Sequence, residues 1–259
     1  MTINKYIVTA ATAMRGQTNG GIIYMFPNIL VNLMYLFPLM FLWRVLAGEG
    51  VGLDVGMTLM QLLTYTYINT LLSEMLVVRT MASSWSYEGQ LISLYGRPFS
   101  VFGQLIAQTV GGWIPMLLIF SLPMLMIAPL FGVTVIPASL WFIPSLLLCI
   151  SLGFAIDFIF ACVTIRFRGM AWLSYSIRMA IVSLFSGTVI PFRILPFGLT
   201  RVFELQPFGS LGGAPLSLFV GAADPFRIIG IQMMWNIILW PVALIWFAKS
   251  KEMQVSYGG

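Results

Sequence analysis

Long apolar runs separated by short polar segments dominate this sequence, and several last about twenty residues, the length that a helix needs to cross a bilayer. No stretch of about ten residues alternates apolar and polar positions as a membrane barrel strand does. We predict spans at about residues 22–45, 57–78, 102–130, 138–165, 170–189 and 226–247. The pattern therefore predicts an all-α, polytopic membrane protein with six transmembrane helices.

The apolar segment between the fifth and sixth predicted spans, residues 186–221, is too broken by proline and glycine to be a plain span. Proline removes a backbone donor, and glycine loosens a helix. Irregular backbone is tolerated at membrane depth only against protein or a water-filled cavity. We therefore predict re-entrant half-helices that line or cap a pathway, with the candidate residues Pro191, Arg193, Pro196, Pro207, Phe208 and Pro215.

Composition agrees with a membrane protein, since 59% of the 259 residues are hydrophobic and only 8% are charged. Soluble domains carry about 25% charged residues. Residues up to about 20 are mixed in polarity and contain Arg15, which predicts an interfacial helix rather than a signal peptide. The net charge of +5 does not indicate a nucleic-acid partner; the expected surrounding is membrane lipid.

The distribution of Lys and Arg predicts the orientation. With the N-terminus inside, the inner segments hold Lys5, Arg15, Arg79, Arg97, Arg166, Arg168, Lys249 and Lys251. The outer side then holds Arg44, Arg193, Arg201 and Arg227. Both termini are therefore predicted to be cytoplasmic, with the loop 79–100 inside and the segment 186–221 outside.

The residues for most catalytic and metal chemistry are missing. The chain has no histidine and no acidic cluster, and none of its three lysines follows a glycine as in a phosphate-binding loop. Cys149 and Cys162 fall on one predicted helix about 20 Å apart, too far for a disulfide. We predict no catalytic residue, no metal site and no cofactor on this chain. We expect residues 1–259 to form a single membrane domain without an ATP-binding domain.

The inner loop 79–100 is the most polar stretch in the interior of the sequence. An amphipathic stretch follows Glu88 and Gly89, and Gly96-Arg97-Pro98 ends it, which predicts a short helix along the inner surface. This helix is either a docking element for a cytoplasmic partner or a solvated loop at the interface. The candidate contact residues are Trp85, Tyr87, Glu88, Gly89, Leu91, Arg97 and Pro98.

Polar residues recur at helical spacing within two predicted spans. Asn28 and Asn32 share one face of the first helix, and Gln61, Tyr65 and Asn69 form a ladder along the second. These side chains either join helices by hydrogen bonds, worth about 0.6 kcal/mol each, or form the polar lining of a translocation path.

Asp157 is the one acidic residue deep in a late predicted span, and a buried membrane charge needs a partner. Asp157 and Arg178 lie about ten residues from the turn at 166–169, on opposite arms of an antiparallel hairpin. Equal separation from the turn predicts similar depth. We therefore predict that they form a structural ion pair.

The order of these features resembles the ABC-2-type permeases, most closely the bacterial branch whose permeases often occur as two similar chains. The inner-loop motif E-G-x-[IL]…L-x-R-P is matched by Glu88, Gly89, Leu91, Arg97 and Pro98. The outer motif is matched by Ser186, Gly187, Ile190, Pro191, Leu195, Pro196, Pro207, Phe208, Pro215 and Gly221. The resemblance covers roughly residues 20–250. Gly96 departs from it, because the family pattern has an aliphatic residue there.

The resemblance implies an exporter subunit in the bacterial inner membrane. Two permease chains, identical or related, would form the translocation path. Two separate cytoplasmic ABC ATPase subunits would carry ATP and Mg²⁺ and dock on residues 85–98 and on the N-terminal helix at about 3–18. The segment 186–221 would form re-entrant half-helices beneath the exit.

Other classes stay open at this point. An ion-coupled secondary transporter needs ionisable residues near the midplane, and Asp157 is the only clear acidic candidate. A non-transporting membrane assembly subunit is a further alternative. An intramembrane enzyme is disfavoured, since no histidine, paired acids or Ser–Lys dyad is present. Long uncharged runs favour an amphipathic or hydrophobic cargo without identifying it.

Overall fold

The computed structural model describes residues 2–48, 56–167, 171–195 and 198–257, and the regular structure among them is helical. The α-helices of these residues are α1 (Thr2–Thr18), α2 (Phe26–Gly48), α3 (Leu59–Leu71), α4 (Ser73–Leu76), α5 (Ala82–Tyr87), α6 (Leu91–Tyr95), α7 (Val101–Met116), α8 (Leu122–Ile127), α9 (Phe142–Arg166), α10 (Ala171–Phe185), α11 (Leu199–Leu205), α12 (Gly213–Phe219) and α13 (Pro225–Tyr257). The all-α class is therefore confirmed.

Four helical stretches of the described chain are long and apolar enough to cross a membrane. They are Phe26–Ala47, Val101–Phe131, Phe142–Arg166 and Pro225–Ser250. These match the first, third, fourth and sixth predicted spans. The other two are shorter helices, since α3 has 13 residues and α10 has 15. A membrane protein with several spans is thus supported, and the number six stays a prediction.

The stretch Val101–Phe131 is one continuous helical run that changes its winding midway. Pro115 lies in the last turn of α7, and Pro123 lies at the start of α8. Between them, residues Leu117–Ser121 form a π-helical turn. Because proline cannot donate a backbone hydrogen bond, a wider turn accommodates the interruption without ending the helix.

Helix α3 lies inside the helical bundle, which accounts for its polar composition. Thr58 caps its N-terminus in a capping box with Gln61. Residues 62–68 are all buried. The threonines among them bond to side chains of other segments: Trp43 Nε1 donates to Thr66 Oγ1 at 2.9 Å, and Thr64 Oγ1 lies 3.2 Å from Thr134 Oγ1. Such hydroxyls suit a helix packed against protein on every side.

Helix α9 is the centre of the fold. It packs against α13, α5, α12, α10 and α4. Its residues 152–158 are buried, and Gly153 allows the chain at Val78 to approach closely. A Cβ atom at Gly153 would lie 2.7 Å from Val78 Cγ2, so any larger residue would force the two apart. The start of the inner loop is thereby held against the middle of α9.

Helix α1 packs on α7 across a row of small residues. A Cβ atom added at Gly103 would lie 2.5 Å from the Tyr6 ring, and one at Gly111 would lie 2.2 Å from the Ala10 carbonyl oxygen. Ala107 lies midway between these two glycines. Small residues at every fourth position allow helix backbones to approach closely. The predicted N-terminal helix is therefore present and fixed to the bundle.

Candidate functional site

The inner loop forms two short helices joined by a glycine turn, where the sequence predicted one helix. Helix α5 ends at Tyr87, and Gly89 adopts a φ of +77° before α6 begins at Leu91. A positive φ is readily adopted by glycine and strained in other residues, so Gly89 permits the turn between the helices. Gly96 and Pro98 follow the end of α6, in agreement with the predicted stop.

A buried glutamine holds the end of α6 in place. Gln104 on α7 is fully buried, and its Nε2 donates to the carbonyl oxygens of Leu94 and Phe99, each at 3.0 Å. Leu91 and Leu94 are buried in a cluster with residues of α7 and α9. The apolar face of α6 is thus anchored, so the turns at its two ends have a fixed position on the surface.

The predicted docking residues separate into an anchored group and an exposed group. Leu91 is buried and Trp85 is half-buried, whereas Glu88, Gly89, Arg97 and Pro98 are exposed. Tyr87 belongs to α5, but its side chain lies outside the described ones. The exposed residues occupy the turns before and after α6, so an acidic and a basic side chain are presented at opposite ends of one short helix.

Tyr95, the last residue of α6, remains a neutral phenol under ordinary conditions. Burial, together with a smaller effect of the nearby Cys162, raises the pKa of Tyr95 to about 12. Deprotonation therefore requires strongly alkaline solution. The end of α6 accordingly carries no anionic charge that would offset Arg97 at neutral pH.

Asp157 and Arg178 form the ion pair that the hairpin count predicts. Asp157 Oδ1 lies 2.6 Å from Arg178 Nη1, and both side chains are almost completely buried. The other carboxylate oxygen, Oδ2, accepts a hydrogen bond from the Thr80 backbone N–H at 3.0 Å and one from the Thr80 hydroxyl. Both oxygens of the Asp157 carboxylate are therefore bonded, one to Arg178 of α10 and the other to Thr80 in the chain before α5.

The same pair fixes the start of the inner loop. Arg178 Nη2 donates to the Val78 carbonyl oxygen, so both charged groups bind the backbone at residues 78–80. Three segments, α9, α10 and the chain that leads into α5, meet at this point. Arg178 Nε has no hydrogen-bond partner among the described residues. The arrangement holds the loop against the bundle, and both oxygens of the Asp157 carboxylate are bonded.

The predicted path residues fall into two separate places. Gln61 Nε2 donates to the Val220 carbonyl oxygen at 3.0 Å, and Tyr65 Oη donates to the Gly187 carbonyl oxygen at 2.6 Å. These two residues therefore join α3 to the two ends of segment 186–221. Asn69, next on the ladder, is half-buried. For Gln61 and Tyr65 the geometry favours interhelical bonding over a water-facing role.

Asn28 and Asn32 lie elsewhere, at the start of α2. Asn28 is exposed and Asn32 is half-buried, and Asn32 Nδ2 donates to the Asn28 carbonyl oxygen at 3.0 Å. Asn28 lines a cavity that also contains Glu74 and Arg79. Asn28 is therefore a predicted path residue that faces this cavity.

Segment 186–221 consists of short helical pieces, as its prolines and glycines predict. A 3₁₀ turn at Phe192–Ile194, the helix α11, a second 3₁₀ turn at Pro207–Ser210 and the helix α12 follow one another. Pro191 and Pro215 are buried, Pro207 and Phe208 are half-buried, and Arg193 is exposed. Pro196 lies outside the described residues.

The segment returns to its own starting point. Gly213 N donates to the Ser186 carbonyl oxygen at 2.6 Å, which closes a loop at the end of α10. Gln206 Nε2 bonds the carbonyl oxygens of Phe185 and Phe203 at 2.5 and 2.9 Å. Because these contacts join the beginning and middle of the segment, its residues form a compact unit against α3 and α9.

A cavity of about 660 Å³ lies between α1, the start of α2, α7 and the inner loop. Trp85 and Arg97 of the inner loop border it, as do Glu74 and Arg79 at the end of the α3–α4 region. Arg79 Nη2 lies 3.6 Å from Glu74 Oε1. One cavity thus brings together residues that the sequence placed in separate groups, as docking residues, path residues and span ends.

Sequence reasoning missed several residues that build these sites. Their hydrogen bonds involve backbone atoms, which leave no pattern in the sequence. Thr80 and Val78 use their own backbone groups, and Gln104 binds the Leu94 carbonyl oxygen. A helix contact on α7 could have been predicted from the sequence, because Gly103, Ala107 and Gly111 form a small-residue repeat at helical spacing. Among the described residues, no group of histidine, cysteine and acidic side chains forms a metal site.

The fold and these sites define an all-helical protein with several apolar helices of membrane-spanning length. No family model matches the chain, and no curated protein or solved structure matches it either.

Proposed function

We propose that this chain is the membrane-spanning permease subunit of an ATP-driven ABC exporter of the ABC-2 type. A second copy or a related chain completes the translocation unit, and separate cytoplasmic ATPase subunits supply the energy. One observation on the inner loop carries the proposal. Gln104 anchors α6, and the turns before and after this helix expose Glu88 and Arg97. An exposed, charged and rigidly held helix is suited to bind a partner.

The proposal includes six membrane crossings, the second and fifth made by shorter helices. Helices α3 and α4 run from Leu59 to Leu76 with a bend at Leu72. At about 1.5 Å per residue they extend about 27 Å, close to the thickness of the hydrocarbon core. Helix α10 is shorter and leads into segment 186–221, which we propose to be the re-entrant element on the outer side.

The position of the ion pair supports force transmission through the bundle. The inner loop begins at residues 78–80, where Thr80 and Val78 bind Asp157 and Arg178. A push on α5 and α6 would therefore reach α9 and α10 directly. This connection is what a permease needs if a cytoplasmic ATPase is to drive its membrane helices.

A secondary transporter is the second candidate, and one observation weighs against it. Proton coupling through Asp157 would require its carboxylate to lose and regain its partners during the cycle. Asp157 is held by Arg178 and by both donors of Thr80. Opening that site would release the inner loop as well, so the pair serves structure better than ion exchange.

The proposal predicts that a nucleotide-binding subunit accompanies the chain when it is purified from its own host in a gentle detergent. We expect Glu88→Ala together with Arg97→Ala to reduce the bound ATPase at least about tenfold, since loss of interface charges costs a few kcal/mol. The measurement is the ratio of ATPase to permease in the purified complex. Arg201→Ala is the matched control, because Arg201 is an exposed arginine of α11.

Glu88→Ala alone tests docking without changing the cavity beside the inner loop, because Arg97 borders that cavity and Glu88 does not line it. The control variant should retain the wild-type ratio. A preparation that contains no ATPase and still moves its cargo under an ion gradient would contradict the proposal and favour a secondary transporter. A second permease band in the complex would identify a heteromeric unit.

A further inference from the structure

We propose that the cavity between α1, α7 and the inner loop is a binding site for one lipid of the surrounding membrane, a phospholipid whose anionic head group carries hydroxyls. The cavity has a volume of about 660 Å³. Val8 and Met81 line it and are more than half exposed, so it opens at the molecular surface. A single head group with the upper part of an acyl chain fits such a space.

The charge of the wall favours an anion. Arg79 and Arg97 border the cavity, and Glu74 is the one acidic residue among the described residues that line it. Glu74 Oε1 lies 3.6 Å from Arg79 Nη2 and offsets part of the Arg79 charge. Arg79 Nη1 also donates to Tyr175 Oη at 3.1 Å. Arg97 forms no ion pair with any described residue. The wall therefore carries an excess positive charge, located at Arg97.

The remaining polar groups favour a ligand that donates hydrogen bonds. Gln108 lines the cavity, and its buried Oε1 has no hydrogen-bond partner among the described residues. A buried acceptor without a donor costs about 1–3 kcal/mol, so a turn of the Gln108 amide toward a ligand hydroxyl in the cavity would be favourable. A phosphate with neighbouring hydroxyls, as in a phosphatidylglycerol head group, combines the anion for Arg97 with a donor for Gln108.

The apolar part of the wall suits an acyl chain. It is formed by methionine and tryptophan side chains of three segments, the start of α2, the inner loop and α7: Met25, Met81, Trp85, Trp113 and Met116. Methionine is flexible and polarisable, and it adapts to a chain that has no fixed shape. Charged and apolar regions therefore face the same space, which is the arrangement that an amphiphile requires.

The test is native mass spectrometry of the purified chain without any ATPase, after exchange into an equimolar mixture of phosphatidylglycerol and phosphatidylcholine. We expect one retained phosphatidylglycerol, bound at least about tenfold more tightly than phosphatidylcholine. Arg97→Gln should remove that preference. Arg15→Gln is the control, since Arg15 is an exposed arginine of α1 that does not line the cavity.

A second pair of variants tests the cavity itself. Thr109 lines it and donates to the Leu105 carbonyl oxygen at 2.8 Å, so Thr109→Ser keeps this bond and Thr109→Phe fills the space. We expect the serine variant to bind as the wild type does, and the phenylalanine variant to lose the lipid while remaining monodisperse. Equal retention of both lipids by the wild type would overturn the proposal. So would equal losses in Arg15→Gln and Arg97→Gln.

Discussion

Replacing Asp157 with asparagine should lower the free energy of unfolding by about 3–5 kcal/mol, because it leaves Arg178 buried without its counter-ion. Both side chains are almost fully buried, and the carboxylate also binds Thr80. The variant would therefore lose the ion pair and weaken the attachment of residues 78–80. The measurement is the thermal unfolding midpoint of the purified protein in detergent, together with the amount that is monodisperse.

Two further variants separate this effect from a general loss of charge. Asp157→Asn combined with Arg178→Gln removes both charges, and we expect it to be more stable than Asp157→Asn alone. Glu74→Gln is the surface control, since Glu74 and Arg79 are each about two-fifths exposed. Exposed pairs contribute about 0–1 kcal/mol. An Asp157→Asn protein that unfolds at the wild-type temperature would contradict a structural role for the pair.

Gly111→Ala should force α1 away from α7, although alanine is the better helix former. Its Cβ atom would lie 2.2 Å from the Ala10 carbonyl oxygen, far inside contact distance, and backbone atoms cannot rotate aside. Overpacking of this kind costs about 1–3 kcal/mol. We expect a lower thermal midpoint and faster proteolysis within α1.

The neighbouring Gly112 provides the matched control. An added Cβ there would meet only the end of the flexible Gln17 side chain, at 3.3 Å from Nε2. Gly16 is a second control, since nothing lies within 4 Å of the added atom. Alanine at an unobstructed helical site stabilises by about 0.4–1 kcal/mol. Equal stability of Gly111→Ala and Gly112→Ala would contradict close packing of α1 on α7.

Features with a local cause could be predicted from the sequence. Run length identified the four long helices, because a bilayer core demands about twenty apolar residues. Proline and glycine predicted the short pieces of segment 186–221 and the end of α6. The Asp157–Arg178 pair could be predicted because equal distance from a hairpin turn means equal depth.

Features that depend on partners far away in the sequence could not be predicted from it. Helix α3 ends at Leu71, and no glycine or proline marks the break before α4 begins at Ser73. The partners of Gln61 and Tyr65 are carbonyl groups 159 and 122 positions away, which no local pattern encodes. Gln104 looks like any polar residue in an apolar helix until the chain at Leu94 is placed beside it.

Site-specific photo-crosslinking in the native host tests the central claim most directly. A photo-crosslinking amino acid at position 88, in the exposed turn before α6, should capture a nucleotide-binding subunit, and the same amino acid at position 201 should not. The cross-linked product is identified by mass spectrometry. Capture at position 88 and not at position 201 is the result that an ATPase-coupled permease predicts. Active transport with capture only at position 201, or with no ATPase captured at either position, would contradict it.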